Sequence, residues 1–225
     1  MLPWALSGLL FVGVDSESDY ADHIFTRHSH LLLRSPAVNM TILNRNKKCF
    51  RNANSEDIVE LFNRAFIDSE CTRLEGGHRE PLYRPKSSTM SHHCIYFRED
   101  YVASALHEVA HWCIAGRQRR GLVDYGYWYE PEGRSIEQQR EFERVEIKPQ
   151  ALEWLFSNAC DHSFYFSSDS FMAPCNSDYF PNAVLAQVRR WCAGEALPER
   201  GLFFLEILIA RYKHPDVFNI NHYYI

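Results

Sequence analysis

"EDYVASALHEVAHWCIAG", residues 99–116, sets two histidines four positions apart with a glutamate directly after the first. Val102, Leu106, Val109 and Cys113 recur at helical spacing, Glu99 and Asp100 are acidic residues where a helix should start, and Gly116 sits where a C-terminal cap belongs. The stretch therefore predicts a zincin-like HExxH helix. On a helix, positions i and i+4 differ by about 40° in azimuth, so His107 and His111 aim their imidazoles at one point from adjacent turns. Two such imidazoles favour a metal ion. Glu108, beside the first of them, is placed to reach a metal-bound water rather than the metal.

Working outward, "NSEDIVELFNRAF" (residues 54–66) predicts an earlier helix, with Ser55 as cap and Ile58, Leu61, Phe62 and Phe66 on one face. "LEGGHREPLYRP" (74–85) reads as a turn at Gly76-Gly77 followed by a short extended piece, and "HHCIYF" (92–97) as a strand. Beyond the metal motif, "LVDYGYWY" (122–129) is an aromatic, strand-favouring run. Ser135 and Gln138 make a capping-box pattern that opens a long helix, "IEQQREFERVEIKPQALEWLF" (136–156). Pro149 removes the donor for the Val145 carbonyl, so a bend is expected beside Glu146. "NAVLAQVRRWCAG" (182–194) and "ERGLFFLEILIARYKHP" (199–215) add two more helices. The fold class is thus α+β and mainly helical, one compact domain over residues 51–215 with a few short strands. A poorly structured arm is expected over residues 1–50 and an irregular tail over 216–225.

The third ligand is not fixed by spacing. No third histidine follows at metzincin distance, which leaves carboxylates of the second long helix, Glu146 at the proline bend and Glu143 one turn before it. From position alone either is as readily a solvent-facing helix carboxylate. Nor do two histidines and a carboxylate name the chemistry. A zinc peptidase uses that set to activate water, and a non-haem Fe(II) oxygenase uses it with positions open for oxygen and substrate.

Composition narrows the partners. With 46% hydrophobic and 24% charged residues, the 225-residue chain has the balance of a folded globular protein. A formal charge of −5, with one short basic run "GRQRR" at 116–120, argues against nucleic acid as a partner. Seven cysteines, an odd number with no CxxC pair, read as reduced thiols of a cytoplasmic protein. The opening "MLPWALSGLLFVGV" resembles a signal-peptide core, yet no basic residue precedes it and no small-x-small cleavage site follows before Asp15. At 14 residues it is too short to span a bilayer, so no membrane association is expected.

The run "YVASALHEVAHWCIAG", continuing through "RQRRGLVDYGYWYEPEGR" and "FERVEIKPQALEWLF", closely resembles the bacterial elongation factor P hydroxylase family, with lesser matches at "ELFNRAF", "EPLYRP", "AQV" and "LPER". The resemblance covers roughly residues 55–215 and is far more specific than HExxH. It implies a hydroxylase acting on the β-lysylated lysine of elongation factor P, as the last step of that modification. It further implies a two-histidine, one-carboxylate site in a fold unlike the usual oxygenase barrel. Carried over to this sequence, the metal ligands would be His107, His111 and Glu146, the last matching the glutamate of "VEIKPQA". Iron, as Fe(II), would be the metal and molecular oxygen the co-substrate, because hydroxylating an unactivated C–H bond needs an oxidant that redox-inert zinc does not generate. Glu108 would orient a ligand, shuttle a proton or neutralise the cationic substrate.

Other residues of the resembling block have two readings each. Trp112 is core packing or site wall. Asp124, Tyr125, Tyr127 and Trp128 either line a pocket for an ammonium group or belong to an aromatic core strand. Arg117, Arg119 and Arg120 face an acidic partner or form a solvated helix end. The first 39 residues have no counterpart in the resemblance, and Met40, which begins "MTILNRNKKCF", is the expected native start. Two other functions stay open: a zinc-dependent peptidase, and a non-catalytic module that binds elongation factor P.

Overall fold

The computed structural model describes residues 53–124, 135–167 and 178–225. The expected N-terminal arm, the Met40 start and the aromatic residues Tyr125, Tyr127 and Trp128 lie outside the described residues.

Helix α1 (Ser55–Phe66) begins one residue away from the expected cap. Asn54 holds the extended backbone a cap requires, and its side chain accepts the Asp57 N–H at 2.7 Å, while Ser55 already belongs to the first turn. Ile58, Phe62 and Phe66 face the core as their spacing demands.

Three strands follow: β1 (Thr72–His78), β2 (Leu82–Arg84) and β3 (His93–Arg98). They form one sheet in the order β1-β3-β2, with β1 parallel and β2 antiparallel to β3. Leu74 and Tyr83 both lie opposite Ile95, and these three side chains are buried. Gly76 and Gly77, expected to make a turn, lie inside β1 instead. Pairing with β3 overrides their turn preference, the register slips between Glu75 and His78, and Gly77 takes the left-handed φ of +81° there. Gly76 has a steric reason as well, because a Cβ at that position would sit 2.5 Å from Cζ of Phe97.

Helix α2 (Val102–Ile114) carries HExxH. It starts after Glu99 and Asp100 with Tyr101 as N-cap, whose side chain makes no capping hydrogen bond. Helix α3 (Ile136–Ala159) opens with the expected capping box: Gln138 N–H donates to Ser135 Oγ at 3.2 Å and Ser135 N–H to Gln138 Oε1 at 2.7 Å. The helix continues through Pro149. Helices α4 (Tyr179–Cys192) and α5 (Glu199–Tyr212) complete the set, so the described residues form a mainly helical α+β fold with one small sheet.

The packing centres on α2 and α3. They lie against each other, with α1, α5 and β3 on α2 and with α4 and α5 on α3. Leu106, Val109, Ala110, Leu152, Leu155, Phe156, Phe204 and Leu208 are fully buried between them. The tail past α5 is irregular apart from a single turn at Ile220–His222, but it is fastened down. Val217 and Tyr223 are buried, the Tyr223 hydroxyl donates to the Val217 carbonyl at 2.5 Å, and the Tyr223 ring meets Trp154 edge-on. Among the described residues no helix is long and apolar enough to cross a membrane.

Candidate metal centre

Helix α2 delivers two imidazoles from adjacent turns, and the facing side of α3 delivers a carboxylate. His107 Nε2 and His111 Nε2 are 3.0 Å apart, and Glu146 places Oε1 3.2 Å from His111 Nε2 and Oε2 3.7 Å from His107 Nε2. The three donor atoms lie within 4.8 Å of one another. Two ligands about 2.0–2.2 Å from one ion are themselves roughly 2.8–3.6 Å apart, so the 3.0 and 3.2 Å separations match a single transition-metal ion and the 3.7 Å one needs only a small side-chain adjustment to do so. Among the described residues this is the one group of three or more His, Cys, Asp or Glu placed to do so. Glu143, the alternative that spacing left open, is buried one turn away, where it accepts the Gln139 amide at 3.1 Å and lies outside the cluster.

The charges at this point are strongly coupled. Burial opposes a charge on His107, but the hydrogen bond to Glu153 and the carboxylates of Glu153, Glu146 and Glu108 outweigh it and push its pKa up to about 10. Burial would raise Glu146 too, yet the neighbouring imidazoles and the Gln150 amide hold it below the usual carboxylate value. Glu108 goes the other way: burial raises it, and the two histidines offset that only in part. The carboxylates of Glu146 and Glu153 against the two imidazoles suit the site to a cation, whether ion or ammonium group.

Two more residues join the site from outside HExxH, Gln150 within the "VEIKPQA" segment and Glu153 three residues after Gln150, and neither is among the expected site residues. Glu153 Oε2 accepts from His107 Nδ1 at 2.8 Å, and Gln150 donates to Glu146 Oε2 at 3.5 Å. The same Gln150 amide pairs with the Ser167 backbone, donating to its carbonyl at 2.6 Å and accepting its N–H at 3.2 Å. Their trace in the sequence was position: Gln150 and Glu153 follow Glu146 at +4 and +7, on one helix face.

Trp112 takes the core reading. Its ring packs against Phe62 and Phe66, with centroids 5.2 and 4.8 Å away, and the Arg200 guanidinium lies 4.8 Å from its centroid. Arg200, from the "LPER" segment, reaches from α5 to the end of α2, where Nη2 donates to the carbonyls of Trp112, Cys113 and Ala115 at 3.0, 3.1 and 2.7 Å. These are carbonyls that a helix C-terminus leaves unpaired. Arg200→Ala is expected to cost about 2–4 kcal/mol of unfolding free energy in urea, because it removes the charged hydrogen bonds and the cation over the indole ring together.

Asp124, the residue of the expected substrate pocket that falls among the described residues, does not face open solvent. It is buried, its carboxylate accepts from Arg119 Nη2 at 2.6 Å, and its backbone bridges to Tyr83. Nor do Arg119 and Arg120 form a solvated helix end: Arg120 pairs with Glu70 at 2.7 Å and lies over Trp112 at 5.8 Å. Arg117 is exposed.

Fold and site together define a helical α+β protein with two histidines and one carboxylate arranged to hold a metal. Over residues 61–223 the chain matches the family model for elongation factor P hydroxylase. It is also 43% identical over 166 residues to the elongation factor P lysine hydroxylase of Haemophilus influenzae, a match covering 73% of this chain and 93% of that protein. The chain belongs to the elongation factor P hydroxylase family.

Proposed function

We propose that this protein hydroxylates a lysine side chain of elongation factor P, in its β-lysylated form, as the last step of that modification. What carries the reading is the convergence of His107, His111 and Glu146 in a chain whose family match extends over residues 61–223. Those three side chains hold the metal, which we take to be Fe(II). Bound there, it supplies the redox chemistry with molecular oxygen that zinc lacks. One oxygen atom enters the C–H bond and the other leaves as water, with two electrons and two protons from a reductant.

The residues around the metal do the remaining work. Glu153 and Gln150 hold His107 and Glu146 in place. Glu108, buried and drawn toward its neutral form, is suited to holding or passing a proton beside the metal. The surrounding carboxylates offset the positive charge of the lysine chain. A translation factor as substrate places the protein in the cytoplasm. The zinc-peptidase and binding-module readings rest on HExxH or on partner binding alone, and neither accounts for a family match that continues through α3, α4 and α5.

The test is direct. Anaerobically purified, iron-loaded protein is mixed with β-lysylated elongation factor P and a reductant, air is admitted, and the intact substrate is weighed. A gain of one oxygen with the parent and none with His107→Ala supports the reading. No gain with either, with iron and reductant shown to be present, overturns it.

A further inference from the structure

We infer that Glu153 is a positioning residue that fixes His107 in the one tautomer able to bind the metal. The inference rests on the reading that His107, His111 and Glu146 hold an ion. A neutral imidazole carries its proton on either nitrogen, and only the bare nitrogen is a ligand. An ionised carboxylate is acceptor-only, so a Glu153 oxygen 2.8 Å from Nδ1 requires the proton there. With the Nδ1 proton committed to Glu153, Nε2 is the nitrogen that gives up its proton to a metal, and it lies 3.0 Å from His111 Nε2 and 3.7 Å from Glu146 Oε2.

The fold delivers Glu153 for this task at some cost. It lies seven residues, two turns, past Glu146 on the same face of α3, and it is 6% exposed. A carboxylate so buried without a partner would be unfavourable, and the ring nitrogen of His107 is its partner. One helix face thus supplies both a ligand and the group that orients a ligand on the opposite helix. The orienting acid matters more for His107 than plain packing would, because this imidazole is the more exposed of the pair, its side chain 24% accessible against 6% for His111.

Glutamine is the discriminating substitution. It has the shape of glutamate, but its amide also donates, and an amide donating to Nδ1 favours the tautomer with Nε2 blocked. Co(II) serves as probe, titrated by calorimetry and by its visible absorption into parent, Glu153→Gln, Glu153→Ala and His107→Ala proteins, with thermal unfolding of each before and after metal. Loss of such an outer partner typically weakens a metal site about 10–100-fold. Glu153→Gln is therefore expected to bind Co(II) at least about tenfold more weakly than the parent, with an altered absorption band, and Glu153→Ala, which leaves the ring free to take either tautomer, no more weakly than Glu153→Gln. The stabilisation that metal confers should shrink accordingly. If Glu153→Gln lowers the unfolding temperature of the metal-free protein but binds Co(II) like the parent, Glu153 is a packing residue and the inference fails. If parent and His107→Ala bind Co(II) alike, the three-residue metal site itself is wrong, and the inference falls with it.

Discussion

Glu146→Gln is expected to give a folded protein that has lost its metal and its hydroxylation, whereas Glu143→Gln, one turn away on the same helix, keeps both. The contrast follows from geometry. Glu146 sets one carboxylate oxygen 3.2 Å from His111 Nε2 and the other 3.7 Å from His107 Nε2, but Glu143 accepts from Gln139 and does not join them. Removing an outer partner of a metal ligand costs about 10–100-fold in affinity, and removing the ligand takes away a direct bond, so the loss at Glu146 should exceed about a hundredfold. The substitution keeps side-chain volume, so the core around α3 stays filled. Metal content of the purified variants, with oxygen incorporation into elongation factor P alongside, checks the prediction. Retention of metal by Glu146→Gln and loss by Glu143→Gln would exchange the two assignments.

Much of this site is legible in the sequence, and the illegible part has a common cause. HExxH on a helix puts His107 and His111 side by side through the helical repeat alone, a local property. The capping box at Ser135 and the burial of Ile58, Phe62 and Phe66 are local in the same sense. The carboxylate that joins the two histidines is not. Gln139, Glu143, Glu146, Gln150, Glu153 and Ser157 follow one another at spacings of four and three, so they share one side of α3, and each is no more than 8% exposed. Amphipathic logic sends a polar side to water. Here it is buried, with two imidazoles of α2 answering its carboxylates, and that depends on neighbours distant in sequence. For this reason Glu146 is reached through family resemblance and Glu153 only through the structure. The turn expected at Gly76-Gly77 fails in the same way, a local preference overruled by pairing with β3. "LPER" and "ELFNRAF" look peripheral to the HExxH motif, yet Arg200, Phe62 and Phe66 meet at Trp112, directly after His111.

That meeting point gives a large expected effect on stability. Trp112 is 2% exposed and is the surface on which α1, α5 and the Arg119–Gly121 turn converge: Phe62 and Phe66 from the first, Arg200 from the second, Arg120 from the third. Trp112→Ala empties that space and strips two guanidinium groups of their aromatic partner. Truncating a buried Trp costs about 3–5 kcal/mol, against a total of about 5–15 kcal/mol for a natural domain. The variant should unfold at much lower urea concentration and accumulate poorly in cells. Trp112→Phe separates packing from any part in binding. Among the described residues the indole Nε1 has no hydrogen-bond partner, so phenylalanine forfeits ring area without orphaning another polar group there. The cost should fall to about 1–2 kcal/mol, with Co(II) affinity and hydroxylation of the folded protein unchanged. If instead Trp112→Phe stays as stable as the parent but loses turnover, the ring belongs to the substrate site, and the convergence of α1 and α5 on it serves binding rather than the core.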